Sequence, residues 1–445
     1  MIDNRMGDSG MEDNWIQDNR MEDNGMKDKE DYLSTLNERQ LDAITTTEGY
    51  VRIIAGAGTG KTKALTHRYA YLVNELGIST SNILCVTFTN KAAREMSKRI
   101  RQMIGDSDTG YICTFHGFCV KLLREDIHAI NFPQNFVVMD DEDTEEILKT
   151  VYENAHIQSR TYTFDSARDH ITAMKSQMLH IPYLAEIGNE KLLADYEKAE
   201  KVEDKVFLGY LYEQKKVYGL DYDDLITIAL YILQTDETKR IKWQERMMYV
   251  MVDEFQDVSN SQYALAEILS GYHRNLFIVG DPDQTIYTWR GAQIEYILEF
   301  DETHENTRTI FLDMNYRSTP EILAVSNSLI EKNKKRLPHR LEAYKESGRR
   351  PIYIHSRTTG DEAQWMTSEI QRLVSEGVSY NEMAVLYRSY FVSRNIEESF
   401  IKAKIPYTLY SGVEFYKRKE IKDVLAYLRM IVYSDDLSFR RVINE

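Results

Sequence analysis

Lys61 and Thr62 close the stretch Ala55-Gly56-Ala57-Gly58-Thr59-Gly60-Lys61-Thr62. Glycines at this spacing let the backbone turn tightly and point its N–H groups inward, a cradle for polyphosphate. The lysine reaches the terminal phosphates, and the neighbouring hydroxyl ligates Mg²⁺. An apolar run (Val51, Ile53, Ile54) precedes the glycines, and a periodic segment from Ala64 to Leu76 follows. Strand, loop and helix are the context this chemistry requires, and the helix adds its positive N-terminal end. The first position of the G-x-x-x-x-G-K-[ST] pattern is Ala55, but the later glycines and the Lys-Thr pair are what the cradle needs.

Further groups complete the set. Asp253 and Glu254 follow the apolar run 247–252. Asp253 is expected to hold Mg²⁺ through its water shell, and Glu254 to orient the attacking water and act as base. An acidic cluster at a helix start would leave the apolar strand before it unexplained. Gln284 ends another apolar run, beginning at Leu276, and is placed to sense a γ-phosphate. Tyr287, Trp289 and Arg290 come just beyond it. Such aromatic and cationic groups bind single-stranded nucleic acid by stacking, at ~1–3 kcal/mol per base, although an isolated tryptophan is more often core. Gln40 lies in a helix signal over 36–44. Its amide suits the edge of adenine, though a surface glutamine is the default.

These groups need a frame. Apolar strand runs over 82–88 and 111–115 alternate with helix starts at Thr89 and His116, which argues for a parallel sheet covered on both faces. Ligands then bind beyond the carboxyl ends of the strands, where Phe88 and His116 sit. Residues from about Asn131 to Tyr218 are charged and helical, an inserted subdomain. A second alternation begins at 309–312, with Ser318 or Thr319 capping a helix that has Pro320 in its first turn. Further strands are expected at 351–355, 383–387 and 407–410, and a helix at 420–432.

The 445-residue chain has a formal charge of −16. Residues 1–30 carry nine acids and four bases, so −5 is local and −11 remains. Net charge therefore gives no support for nucleic acid, and any such site must be a local groove. Residues 1–30 repeat Met, Asp and Asn without periodicity and read as a disordered acidic tail. No apolar run is long enough for a membrane span, and the polar N-terminus is no secretory signal. The three cysteines lack paired or metal-type spacing, which fits a reduced, cytoplasmic protein.

The ordered motifs LNERQ, AGAGTGKT, VTFTNKAAREM, TFHGF, VDEFQD, VGDPDQTIYTWRGA, MNYRSTPEI and FYKRKEIKDVLAYLR resemble those of superfamily 1 DNA helicases of the UvrD/PcrA/Rep type. The resemblance runs from about Leu36 to Asn444. It implies an α/β fold: a RecA-like parallel-sheet motor domain over 31–132 and 219–307, its helical insertion at 133–218, a partial second RecA-like domain over 308–411 and the start of a second helical subdomain at 412–445. It implies ATP and Mg²⁺, with Ala55 to Lys63 forming the nucleotide loop, Gln40 reading adenine, Tyr316 stacking on it and Arg317 serving as an arginine finger. Gln284 would couple the γ-phosphate to DNA. Phe88, His116, Tyr287, Trp289 and Arg290 would line a single-strand track, with 3′-to-5′ movement on single-stranded DNA or a 3′-tailed duplex in repair or replication. Lys63 stands where the family often has arginine. Family members continue further, with two more ATP- and DNA-contacting motifs. The expectation is thus a helicase whose remaining motifs come from elsewhere, for instance a separate chain, or alternatively an ATP- and DNA-binding module without autonomous unwinding.

Overall fold

The computed structural model describes residues 32–105, 108–389, 392–410, 419–433 and 436–443; the acidic tail and most of the segment 415–420 lie outside them. Two compact units divide after Gly348.

The first unit is built on six strands: β1 (Tyr50–Ala55), β2 (Ile83–Val86), β3 (Tyr111–Cys113), β4 (Tyr249–Val252), β5 (Leu276–Gly280) and β6 (Arg308–Leu312). All pair in parallel, in the order β3-β2-β4-β5-β1-β6. A parallel sheet is covered on both faces, so its strands are apolar throughout rather than alternating. Accordingly, every residue of β2, β4 and β5 is buried. The exception in β1 is Arg52, whose guanidinium pairs with Asp301 at 2.6 Å and donates to the Ile297 and Leu298 carbonyls. A buried charge survives only with such partners.

Helices α1 (Glu38–Thr45), α2 (Lys61–Asn74), α3 (Asn90–Ile104) and α4 (Phe115–Asp126) flank the sheet, and the core joins Val51, Ile53, Leu65, Cys85, Met96 and Val279. Asn37, Thr89 and Thr114 cap α1, α3 and α4 with their side chains. The buried Arg68 of α2 donates to the carbonyls of Ala43, Thr46 and Thr47 at the end of α1, and lies 4.3 Å from the Phe277 ring centroid.

The inserted segment is helical at Asp141–Asn154, Phe164–Ser176, Ile181–Ala185, Asn189–Lys198 and Val202–Lys216. At its root Val137–Val138 pairs with Gly219–Leu220. Lys175 is wholly buried there, 2.5 Å from Asp221 and 2.8 Å from Asp224. Tyr210 also donates to Asp221, and Gln214 to Asp224. Burial and the charge on Asp221 push Asp224 up. Burial alone would raise Asp221 too, but Lys175 and Tyr210 outweigh it and hold Asp221 down at about 2.

The strand run at 309–312, read as the opening of a second domain, is β6 of the first sheet. It hydrogen bonds to β1, which would otherwise present a bare edge. The first unit continues through helix Pro320–Ile330 and a two-residue pairing of Met314–Asn315 with Glu342–Ala343. In the second unit, the runs expected as strands at 351–355, 383–387 and 407–410 form no ladder among the described residues. Tyr353 and Leu386 are 87% and 94% exposed. Strand propensity expresses fit to a half-buried pleated surface, and these runs have none to fit. The unit's core is small: Ala363, Ile396, Phe400 and Ile405, held by helices Thr359–Ser375 and Ser393–Lys402. The helix expected at 420–432 spans Lys419–Tyr433. No helix among the described residues is long and apolar enough to cross a membrane.

Candidate functional site

The loop between β1 and α2 is held by its glycines. Gly58 and Gly60 have φ of 76° and 94°, a region that disfavours any other residue. Space demands glycine as well. A Cβ on Gly58 would lie 2.6 Å from the Cβ of Arg317, and one on Gly60 2.7 Å from Nε2 of Gln40. Gly60 caps α2 without a side-chain bond, so the helix's first N–H groups have no capping oxygen from it. Such a helix start favours an anion.

Lys61 projects from this loop toward the carboxyl end of β4 and pairs with Glu254 at 2.9 Å. Glu254 sits at φ 48°, which swings its carboxylate back toward the loop. Burial alone would raise its pKa, but Lys61 and Gln256 outweigh it and hold Glu254 below the usual range. Asp253 is different. One carboxylate oxygen accepts from Thr87 at 3.2 Å, while Oδ1 is buried without a hydrogen-bond partner among the described residues. Burial, reinforced by Glu254, pushes the Asp253 carboxyl up to about 6. A buried acid with an unused oxygen beside a phosphate-type loop is the donor that a hydrated divalent cation takes.

Gln256 links this pair to the end of β5. Its Nε2 donates to Glu254 at 3.0 Å, and its Oε1 accepts from the N–H of Asp281 at 3.0 Å. Asp281 in turn accepts from Gln284. Gln284 is exposed, and its amide is bonded to Asp281 rather than to the glycine loop. Gln40 is buried, with Nε2 donating to the Thr59 carbonyl at 3.0 Å and Oε1 accepting from the Asn37 N–H. Its amide thus braces the loop. Lys63 donates to the Thr35 carbonyl, and burial lowers its pKa.

The segment after β6 lies against the loop. Tyr316 N–H donates to the Gly58 carbonyl at 2.9 Å, and Tyr316 Oη accepts from Asn37 at 2.7 Å. A cleft of about 330 Å³ opens beside it, lined by Asn37, Arg39, Tyr316 and Tyr344 among others. The Arg317 side chain is exposed, with no hydrogen bond from its guanidinium among the described residues.

Beyond the carboxyl ends of the strands, Phe88 stacks on Tyr287 with centroids 4.8 Å apart and planes 21° from parallel. Arg290 lies 5.5 Å from the Tyr287 centroid and 4.7 Å from that of Trp289, which is 72% exposed. Four of the five expected stacking residues are therefore together. The fifth, His116, packs edge-on to the exposed Tyr222 at 5.5 Å instead, and burial lowers its pKa.

Residues 36–305 match the UvrD/REP helicase N-terminal domain, and residues 310–445 the UvrD-like helicase C-terminal domain. The chain belongs to the UvrD/REP helicase family. Curated relatives include the ATP-dependent DNA helicase PcrA of Staphylococcus aureus strain Mu50 and that of Staphylococcus epidermidis strain ATCC 35984. Each is 40% identical over 414 residues, covering 93% of this chain and 56% of the relative. The chain thus spans little more than half the length of these family members.

Within this UvrD/REP site, the sequence reading gave no role to Thr87, Gln256, Asn315 or Tyr222. Gln256 sits inside V-D-E-F-Q-D and Asn315 one residue before the Tyr-Arg pair, so both were adjacent to assigned residues. Their bonds to Asp281 and to Ala57, however, span 25 and 258 residues and have no local signature.

Proposed function

We propose that this chain is an ATP-hydrolysing DNA translocase of the helicase type, binding Mg-ATP at the β1–α2 loop and single-stranded DNA across the Phe88–Tyr287–Trp289–Arg290 ledge. The observation that carries the proposal is the pairing of Lys61 with Glu254 beneath a left-handed glycine loop, beside an Asp253 oxygen that no group among the described residues satisfies. Thr62 and Asp253 would hold Mg²⁺, which supplies neutralising charge to the β- and γ-phosphate oxygens.

Each residue then has a chemical task. The loop N–H groups and the α2 N-terminus bind the phosphate oxygens. Lys61 leaves Glu254 for the γ-phosphate, and Glu254 becomes able to accept a proton. Water attacks the γ-phosphorus, its proton passes to Glu254, and the bond to the β–γ bridging oxygen breaks to release ADP. Arg317 neutralises charge that develops on the transferring group. Tyr316 and the cleft beside it receive the adenine. Gln256 relays the state of Glu254 to Asp281 and Gln284, at the base of the aromatic ledge. The direction 3′ to 5′ and the preference for single-stranded or 3′-tailed DNA follow the family resemblance.

The test is steady-state ATP hydrolysis by the full chain, with and without single-stranded DNA. Turnover that rises with DNA and vanishes in Lys61→Ala supports the proposal. Hydrolysis equal in wild type and Lys61→Ala would remove it. Mg-ATP binding without turnover would leave a binding module.

A further inference from the structure

We propose that Asn315 is a positioning residue that ties the shape of the glycine loop to the placement of Arg317. The inference rests on the ATP reading of that loop. Asn315 is 2% exposed and sits three residues past β6, the strand hydrogen-bonded to β1. Its side chain faces the loop on one side and the Arg317 backbone on the other. Nδ2 donates to the Ala57 carbonyl at 2.5 Å, while Oδ1 accepts from the N–H groups of Arg317 at 2.9 Å and Ser318 at 2.7 Å. A second strut runs parallel, from Tyr316 N–H to the Gly58 carbonyl at 2.9 Å. Asn315 is itself anchored, because its own carbonyl accepts from Tyr344 N–H at 2.9 Å.

Only an amide meets this demand. One planar group must donate to a carbonyl and accept from two N–H groups at once. Aspartate keeps the accepting half and loses the donating half; alanine loses both. There is also no slack between the parts it joins. A Cβ on Gly58 would lie 2.8 Å from Asn315 Nδ2 and 2.6 Å from the Cβ of Arg317. A change in the Ala57–Gly58 backbone on phosphate binding therefore moves the amide, and the amide moves the N–H of Arg317. Asn315 touches no reacting atom in this scheme; it acts through Arg317.

Hydrogen exchange read by mass spectrometry on the full chain, with and without a non-hydrolysable Mg-ATP analogue, tests the link without needing turnover. In wild type, the analogue should slow exchange in peptides covering 56–63 and 315–320 together. In Asn315→Ala the response at 56–63 should persist, and that at 315–320 should fall at least threefold. An unchanged response at 315–320 in the variant overturns the proposal, as does a wild-type response confined to 56–63. No response at 56–63 in wild type overturns the nucleotide reading itself. Where Asn315→Ala does not fold, Asn315→Asp carries the same comparison, since it keeps both N–H groups capped. Kinetics give a second readout. Asn315→Ala should lower kcat at least tenfold with KM within threefold, and adding it to Arg317→Ala should cost no more than a further twofold. Additive losses, or a rise in KM with kcat intact, would assign Asn315 to nucleotide binding or packing and overturn the coupling.

Discussion

Lys175 and Lys61, both in the first unit, each pair with carboxylate, and they differ in one respect that matters. Lys175 lies between Asp221 and Asp224 with no exposure, and Gln214 and Tyr210 bond to the same acids. Lys61 faces Glu254 at a similar distance, but Glu254 is about a third exposed and its neighbour Asp253 keeps an oxygen without a hydrogen bond among the described residues. The first cluster is sealed and joins helices; the second is open and lies where a glycine loop meets a strand end. Charge pairing alone therefore does not mark a site. What sets the second cluster apart is a part-exposed Glu254 and, among the described residues, an Asp253 oxygen with neither a hydrogen bond nor a cation on it.

The largest test of this contrast is Lys61→Ala. ATP turnover should fall by about three orders of magnitude, in the range lost when a key stabilising group is removed from a reaction centre, while the melting curve stays put. A large fall in melting temperature would place Lys61 with the structural lysine. Lys175→Met should do the reverse. It leaves two acids buried without a cation, and breaking a buried pair costs about 3–5 kcal/mol of stability. Denaturant unfolding checks this; a loss below 1 kcal/mol would mean that the cluster relaxes and contributes little.

Asp253→Asn sharpens the comparison by acting on both properties. The folded state raises the Asp253 carboxyl from 3.8 to about 6, so folding favours the protonated form. The associated stabilisation is present below 3.8 and lost as pH rises through 6. At pH 7.5 without Mg²⁺, the asparagine variant should be more stable by up to about 3 kcal/mol, at 1.36 kcal/mol per unit, yet inactive. Equal unfolding midpoints would refute the burial argument. His180, 3.2 Å from Asp224, shows the opposite sign, because burial and Lys175 push it down to about 3. The unfolded chain binds a proton near 6.5 that the folded chain refuses, so this group should cost stability by about 1.4 kcal/mol per pH unit below 6.5. His180→Gln should flatten that slope, as measured by unfolding across pH 5 to 7. The smallest effect is at the ledge. Trp289→Ala should weaken single-stranded DNA binding by about 1–3 kcal/mol and leave basal ATP turnover alone.

Much of the site was legible because its signals are local. Glycine spacing, Lys-Thr and an apolar strand ending in two acids each occupy fewer than ten residues. The sealed cluster was not legible. Lys175 stands in a charged helical stretch and Asp224 in the first turn of an apolar helix 49 residues later, and only the fold brings them together. Asn315 and Gln256 were missed for the same reason: the amide of Asn315 is defined by a carbonyl at residue 57. The runs at 351–355 and 383–387 failed differently. Their composition suits a strand, but a strand also needs a partner, and composition cannot report one. The run at 309–312 joined the first sheet because β6 is chosen by β1, more than 250 residues earlier.

That choice has a consequence for synthesis. The strand that launches the glycine loop ends at residue 55, and its two neighbours are residues 276–280 and 308–312. The ribosome must therefore add more than 200 residues before β1 can form its first ladder. At about 5–20 residues per second, an apolar strand waits roughly ten to forty seconds without its partners. The helical insertion is complete before the sheet that carries it.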